Sequence, residues 1–219
     1  MMADMAQKIR CGGKPMTAVV LAGGRGRRMK ADKAGEDVGG RTLLEHVLDQ
    51  VEPFFDEVLV SLSPRQAAPS LAGAANVRLV RDERPGLGPI GGLLAALRAA
   101  RNDACAVVAC DIPEIDVPLL RALAKAAQNA DIAVPVGPSG LHEPLFAVYR
   151  RPIVAEVQTL LARGERSLLP LYVNCRTKAV RLDDPGRIRN LNTPEDYEDY
   201  LRAAGRAGAA RRRGSVGKR

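Results

Sequence analysis

With 219 residues, of which 46% are hydrophobic and 26% charged, the chain has the balance of a folded soluble protein and can bury one full core, which excludes a disordered or fibrous chain. The formal charge of +8 does not belong to the folded body. Residues 202–219 hold seven bases and no acid and residues 1–16 hold a net +2, so residues 17–201 carry −1, and 3% aromatics with no Trp argue against a base-stacking nucleic-acid surface.

The chain is expected to have a flexible N-terminal segment at 1–16, one folded domain at 17–201 and a basic, disordered tail at 202–219. Thr17 to Leu21 reads as the first strand and is followed by a Gly-rich loop. Leu43, Leu44, Val47, Leu48 and Val51 then repeat at helical spacing, and Val58 to Leu62 and Val77 to Val80 return as strands. Pro89 opens a helix carrying Leu93, Leu94 and Leu97. Ala104 to Ala109, short and apolar throughout, reads as a central buried strand ended by Asp111. A helix through Leu119, Leu120 and Leu123 and a strand from Ile132 to Val136 complete a regular half. The second half is less regular, with strands at Leu145 to Tyr149 and Ala179 to Leu182, a helix from Ile153 to Leu161, and a last helix at Asp196 to Leu201. This alternation is the pattern of βαβ units, an α/β domain with a largely parallel, doubly wound, Rossmann-like sheet.

Cys11, Cys105, Cys110 and Cys175 show neither C-x-x-C spacing nor a nearby histidine cluster, so they read as reduced structural thiols. No segment approaches the ~18 apolar residues of a membrane span, and no signal-like apolar run precedes the first strand, so a cytoplasmic location is expected.

The strongest chemical signal is Leu21-Ala22-Gly23-Gly24-Arg25-Gly26-Arg27-Arg28-Met29-Lys30-Ala31-Asp32-Lys33, placed between a strand and a helix. Glycines let backbone N–H groups form an anion-binding concavity, and Arg28 and Lys33 add charge for a polyphosphate. A Gly-rich surface turn would account for Gly23-Gly24-x-Gly26 but not for the spacing out to Asp32-Lys33. The segment is neither a dinucleotide fingerprint, which needs G-x-G-x-x-G, nor a Walker loop, which needs G-K-[ST]. Asp111 sits just past the end of the central strand, on the same sheet edge as the loop, where open α/β sheets bind ligands; it is the candidate Mg²⁺ ligand, with a turn or cap residue as the alternative. For Asp116, shortly before Pro118, capping is the better account. Gly91 and Gly92 open a helix, either to admit a ligand or to allow helix–sheet packing. Asn190 and Asn192, two apart in an extended segment, can present amides in one direction, while Thr193 and Pro194 supply the cap and first position of the last helix. His46 falls within an amphipathic helix as a packing residue, and His142 lies in a turn where contact with a second substrate is open.

The loop resembles the L-A-G-G-x-S-x-R-M-G-x-D-K signature of the molybdenum cofactor guanylyltransferase family. Asp82, Gly88-Pro89-Ile90-Gly91-Gly92, Cys110-Asp111-Ile112-Pro113, Glu143-Pro144-Leu145-Phe146-Ala147-Val148-Tyr149 and Asn190-Leu191-Asn192-Thr193-Pro194-Glu195-Asp196 follow in that family's order, so the resemblance spans roughly residues 17–201. It implies a three-layer αβα sandwich with a mixed sheet and transfer of GMP from GTP to the terminal phosphate of molybdopterin, with release of pyrophosphate. It further implies GTP binding by Leu21, Ala22, Gly23, Gly24, Arg28, Lys33, Ser61, Asp82, Gly91 and Asp111, catalysis by Arg28, Lys33 and Asp111 with Mg²⁺ on Asp111, and acceptor binding by Asn190 and Asn192. The protein partners it implies are cofactor-insertion proteins or molybdoenzyme chaperones. Gly26 replaces the usual Ser, Lys30 the usual Gly, and Ser61 a position more often Asn; if that glycine needs φ > 0, Lys30 strains the loop by roughly 1–2 kcal/mol. Two alternatives remain: a cytidylyl- or sugar-phosphate nucleotidyltransferase of the same fold, or a non-catalytic nucleotide- or RNA-binding protein using its basic tail.

Overall fold

The computed structural model describes residues 7–23, 42–69, 71, 76–193, 195–200 and 202. Within the segment 1–16 expected to be flexible, residues 7–16 carry the first elements of the fold. A hairpin joins β1 (Arg10–Cys11) to β2 (Lys14–Pro15), and Gly12 and Gly13 at φ 58° and 77° supply the two left-handed residues that a two-residue turn demands. Ile9 and Met16 on either side are buried, and the Ile9 N–H donates to the Phe54 carbonyl at 2.9 Å. Burying those side chains offsets the entropy of ordering the segment.

Seven strands form the main sheet: β3 (Thr17–Leu21), β4 (Glu57–Leu62), β5 (Val77–Arg81), β6 (Ala104–Ala109), β7 (Ile132–Val136), β8 (Phe146–Arg150) and β9 (Thr177–Arg181). Their spatial order is β5-β4-β3-β6-β8-β7-β9. β8 alone runs antiparallel, between β6 and β7, so the sheet is mixed and mostly parallel. The last strand begins and ends slightly earlier than the Ala179 to Leu182 reading.

The central strands alternate their side chains between two apolar layers, as period-2 geometry requires. Ala18, Val20, Val58, Val60, Ala106 and Val108 face α1 (Leu43–Val51) and α3 (Val117–Ala126). Val19, Leu59, Cys105 and Val107 face α2 (Pro89–Ala99), α4 (Val154–Ala162) and the short α5 (Leu171–Asn174). Helix α1 starts in a capping box, with Thr42 Oγ1 accepting from Glu45 N at 3.2 Å and Glu45 Oε2 from Thr42 N at 2.8 Å.

The register positions the ligand edge. Leu21 pairs with both Ser61 and Ala109, and Leu62 pairs with Arg81, so Leu21 and Ala109 end their strands beside Ser61, one residue before β4 ends, and Asp82 directly follows Arg81. Residues 195–200 are helical, introduced by a reciprocal cap in which Asp196 N donates to Thr193 Oγ1 and Asp196 Oδ2 accepts from Thr193 N. No helix among the described residues is long and apolar enough to cross a membrane. No disulfide joins them: Cys11, Cys105 and Cys110 are buried and Cys175 half-buried.

Candidate active site

The edge formed by the C-terminal ends of β3, β4, β5 and β6 gathers most of the residues singled out in the sequence. Leu21 and Ala22 leave β3 pinned on both sides: the Cys110 N–H donates to the Leu21 carbonyl at 3.1 Å and the Ala22 N–H to the Ser61 carbonyl at 2.9 Å. Gln66 Nε2 then donates to the Ala22 carbonyl at 3.0 Å. Gly23 is packed so closely that a Cβ would stand 2.8 Å from Ser63 N, a backbone atom that cannot step aside. Gly24, Gly26, Arg28, Lys30 and Lys33 lie outside the described residues.

A second group assembles where α2 begins. Gly88 caps that helix at φ 71°, a conformation L side chains rarely adopt. A Cβ at Gly91 would lie 2.5 Å from Leu87 Cβ, and one at Gly92 would lie 2.9 Å from Ser61 Oγ and 3.2 Å from Leu21 Cδ2. These glycines therefore let the helix approach the strand ends, the packing alternative of the two. They also leave their own backbone beside Asp82, since the same two Cβ positions are 3.4 Å from its Oδ2 and Oδ1. Ser61 Oγ donates to Asp82 Oδ1 over 3.4 Å. Burial, only partly opposed by this hydroxyl, pushes the Asp82 carboxyl up to about 6. Leu21, Ser61, Asp82, Gly91 and Gly92 are thus one constellation.

Asp111 stands half-buried beyond β6, in a turn closed by Ile112 N donating to the Ala109 carbonyl at 3.2 Å. Its main chain is held from a distant segment, Leu191 N donating to the Asp111 carbonyl at 2.8 Å. Asn190, half-buried, and Asn192, exposed, are therefore delivered to the same edge as Asp111. Leu191 between them is buried against Leu43 and Tyr200. Sequence reasoning missed the support beneath this turn. From α1, Gln50 donates to the Pro113 carbonyl at 2.7 Å and accepts from Ile115 N at 3.0 Å. A glutamine on the polar side of a helix gives no sign of a partner 63 residues away.

Asp116 caps α3, accepting from Leu119 N at 2.8 Å, and also accepts from Arg187 Nε at 2.6 Å. His46 is a packing residue whose Nε2 lies 2.9 Å from Tyr200 Oη. His142 is stacked on Tyr172, with ring centroids 4.6 Å apart. No three His, Cys, Asp or Glu side chains converge into a metal cage among the described residues. Asp111 offers this edge a carboxylate, a hard oxygen ligand of the kind that holds Mg²⁺ together with waters and substrate phosphates. On that chemistry the residues present fit the ion.

The chain is similar to known proteins over most of its length. A family model described as the MobA-like NTP transferase domain matches residues 18–179. A probable molybdenum cofactor guanylyltransferase of Methanothermobacter thermautotrophicus is 35% identical over 190 residues, covering 82% of this chain and 96% of its own. The molybdenum cofactor guanylyltransferase of Pseudomonas putida is 34% identical over 188 residues, covering 84% and 97%. Among solved structures, molybdopterin-guanine dinucleotide biosynthesis protein A from Archaeoglobus fulgidus superposes with a TM-score of 0.75 at 26% identity, over 87% of this chain and 100% of that one. With the loop, the Asp82 constellation and the Asp111 turn all falling inside the matched span, the chain belongs to the MobA-like NTP transferase family.

Proposed function

We infer that this enzyme transfers the guanylyl group of GTP to the terminal phosphate of molybdopterin, forming the guanine dinucleotide cofactor and pyrophosphate. The observation that carries the choice of base is Asp82. A nearly buried carboxylate flanked by two side-chain-free residues presents two acceptor oxygens in surroundings of low polarity. Guanine matches it with an adjacent N1–H and 2-amino group, whereas cytosine has no such pair of donors. Ser61 holds one carboxylate oxygen in place and Leu21 covers the apolar side of the same corner.

In the reaction an acceptor phosphate oxygen attacks the α-phosphorus, the bond from that phosphorus to the bridging oxygen breaks, and pyrophosphate leaves. A phosphate monoester is largely ionised near pH 7 and needs no general base. We assign to Gly23, Gly24, Arg28 and Lys33 the binding of the β- and γ-phosphates and stabilisation of charge on the leaving group. Asp111 would hold a divalent cation, assigned as Mg²⁺, which would supply positive charge to stabilise the reacting phosphates. Asn190 and Asn192, brought beside Asp111 by the Leu191 hydrogen bond, are assigned to the acceptor. The reading places the enzyme in the cytoplasm, with insertion proteins or molybdoenzyme chaperones taking the product. A pyrophosphate-release assay with each of the four nucleoside triphosphates, with and without molybdopterin, tests it. Release is expected only with GTP and molybdopterin together; equal release with CTP, or turnover on a sugar phosphate instead, overturns it.

A further inference from the structure

The acceptor half of the ligand edge carries a feature that the transfer chemistry does not use. The segment between β7 and β8 folds back so that His142 pairs with Val136 in an isolated bridge, and it ends with the Leu145 carbonyl accepting from Ala109 N at 2.9 Å. This places residues 141–145 on the same sheet edge as Asp111, on the side away from Asp82. The His142 ring lies on the Tyr172 ring with centroids 4.6 Å apart and planes inclined by 22°. Both rings are half-buried. The Tyr172 hydroxyl is held 3.0 Å from that of Tyr149, a fully buried side chain that in turn donates to the Pro144 carbonyl at 2.9 Å. The stack is therefore anchored from below.

Two further observations give the pair a ligand-binding character. Glu143, next to His142, is half-buried, and its carboxyl is raised above the ordinary value by loss of solvent; its charge is felt by the Tyr172 hydroxyl, which is pushed up to about 12, chiefly by burial. The three exposed large hydrophobics among the described residues, Leu141 at 69%, Leu169 at 56% and Val173 at 87%, all belong to the two segments that carry the pair. An aromatic face with apolar neighbours and a half-buried carboxylate close enough to be felt by the Tyr172 hydroxyl suits a flat heterocycle that offers adjacent N–H donors. The segment bearing Tyr172 also reaches the nucleotide side, since a Cβ at Gly88 would lie 3.3 Å from the Arg166 carbonyl.

We propose that His142 and Tyr172 form the stacking platform for the ring system of the acceptor, with Glu143 accepting hydrogen bonds from the ring's amino and amide N–H groups. Resting on the guanylyltransferase reading, this assigns the pterin end of the acceptor to the loop between β7 and β8 and to α5, and leaves its phosphate end beside Asp111. A 2-amino-4-oxopteridine presents the same pair of donors to a carboxylate that guanine presents to Asp82, so the edge holds two matching acids for two related rings.

The test separates acceptor binding from nucleotide binding. His142→Ala, His142→Phe and Glu143→Gln are compared with wild type for KM toward molybdopterin and toward GTP. Equilibrium binding of 6-hydroxymethylpterin is followed by quenching of its own fluorescence, and melting temperature checks folding. His142→Ala and Glu143→Gln should each raise the acceptor KM and the pterin Kd by about tenfold while the GTP KM stays within about twofold, and His142→Phe should recover most of the loss. Unchanged acceptor KM and pterin Kd in both variants, with wild-type turnover intact, would overturn the platform alone and point to an apolar docking surface for a protein. A wild-type enzyme that uses GTP with another acceptor but not molybdopterin would overturn the functional reading and the platform with it.

Discussion

Two buried acids lie at opposite edges of the same sheet, and the protein treats them differently. Glu57 begins β4 and is 4% exposed; its Oε2 accepts from Thr17 Oγ1 at 2.6 Å and from Arg101 N at 2.9 Å, while Oε1 is engaged by Arg78. Burial alone would raise its pKa, but the hydrogen bonds from Thr17, Arg78 and the Arg101 main chain together outweigh burial and hold the carboxyl below its ordinary value. Asp82, at the other edge, is 9% exposed and has a single long hydrogen bond from Ser61, so burial wins. The first acid has its lone pairs filled by the fold. The second keeps acceptor capacity at a cost in stability, and that is the arrangement expected of a group reserved for a ligand.

The comparison can be broken in graded ways, and the largest effect is expected where a ligand-edge acid carries charge for the reaction itself. Asp111→Asn keeps the size of a turn residue and removes the cation's ligand, so turnover should fall by about two orders of magnitude or more with a melting temperature near that of wild type. Guanylyl transfer across a Mg²⁺ titration measures it; normal activity at unchanged Mg²⁺ dependence would return Asp111 to the turn. Asp82→Asn should come next. It replaces an acceptor with a donor opposite guanine and should raise the GTP KM by about ten- to a hundredfold, or about 1.4–2.7 kcal/mol, while leaving stability unchanged or slightly improved because a buried charge is gone. Marked unfolding would place Asp82 with Glu57 as a structural acid.

Glu57→Gln should show the reverse pattern. Arg78 and Arg101 lose their carboxylate, for a cost of about 2 kcal/mol and a drop of about 4–8 °C in melting temperature, with kinetics of the folded enzyme unchanged. The pH signs also oppose each other. The folded-state pKa of Glu57 is depressed, so its contribution is present above the unfolded value of about 4.5 and is lost as pH falls through the folded value. Chemical denaturation of wild type and variant should converge in acid. The folded-state pKa of Asp82 is raised to about 6, so its carboxylate forms only as pH climbs through that value, and for the proposed guanine contact GTP affinity should weaken up to about tenfold per pH unit below it. A GTP KM that is flat from pH 5 to 7.5 would remove Asp82 from base recognition. The smallest effect should follow removal of residues 205–219, which contain only Gly, Ala, Ser, Val and bases. Transfer should change by less than about twofold, whereas a tenfold loss would assign the tail to the acceptor.

The same contrast explains what could be read from the residues in chain order. Strands such as Ala104–Ala109 declare themselves because six consecutive apolar residues have no other place in a folded domain. Gly91 and Gly92 were legible as a close approach, though not as an approach to Ser61 and Asp82 in particular, since that depends on strand register between residues 61 and 82. Support in the body of the fold was hidden. The Gln50 clamp and the Glu57 cluster bind groups 21 to 65 residues apart, and no local periodicity reports such pairs. The hairpin at 10–15 escaped because two-residue strands are too short to show alternation, and α5, four residues long, is shorter than a helical period can establish.

The hydrogen bond from Leu191 to Asp111 also sets an order of events during synthesis. A polypeptide leaving the ribosome presents its N-terminal portion first, and the strands that build the nucleotide side, β3 through β6, are all complete by residue 109. The strap across Asp111 is made from residues synthesised some eighty positions later. A chain stalled before residue 190 would hold Leu21, Ser61, Asp82 and Asp111 while lacking Asn190, Leu191 and Asn192. The hydrogen bond that ties the Asp111 turn to residues 190–192 therefore forms only after β3, β4, β5 and β6 have all been made.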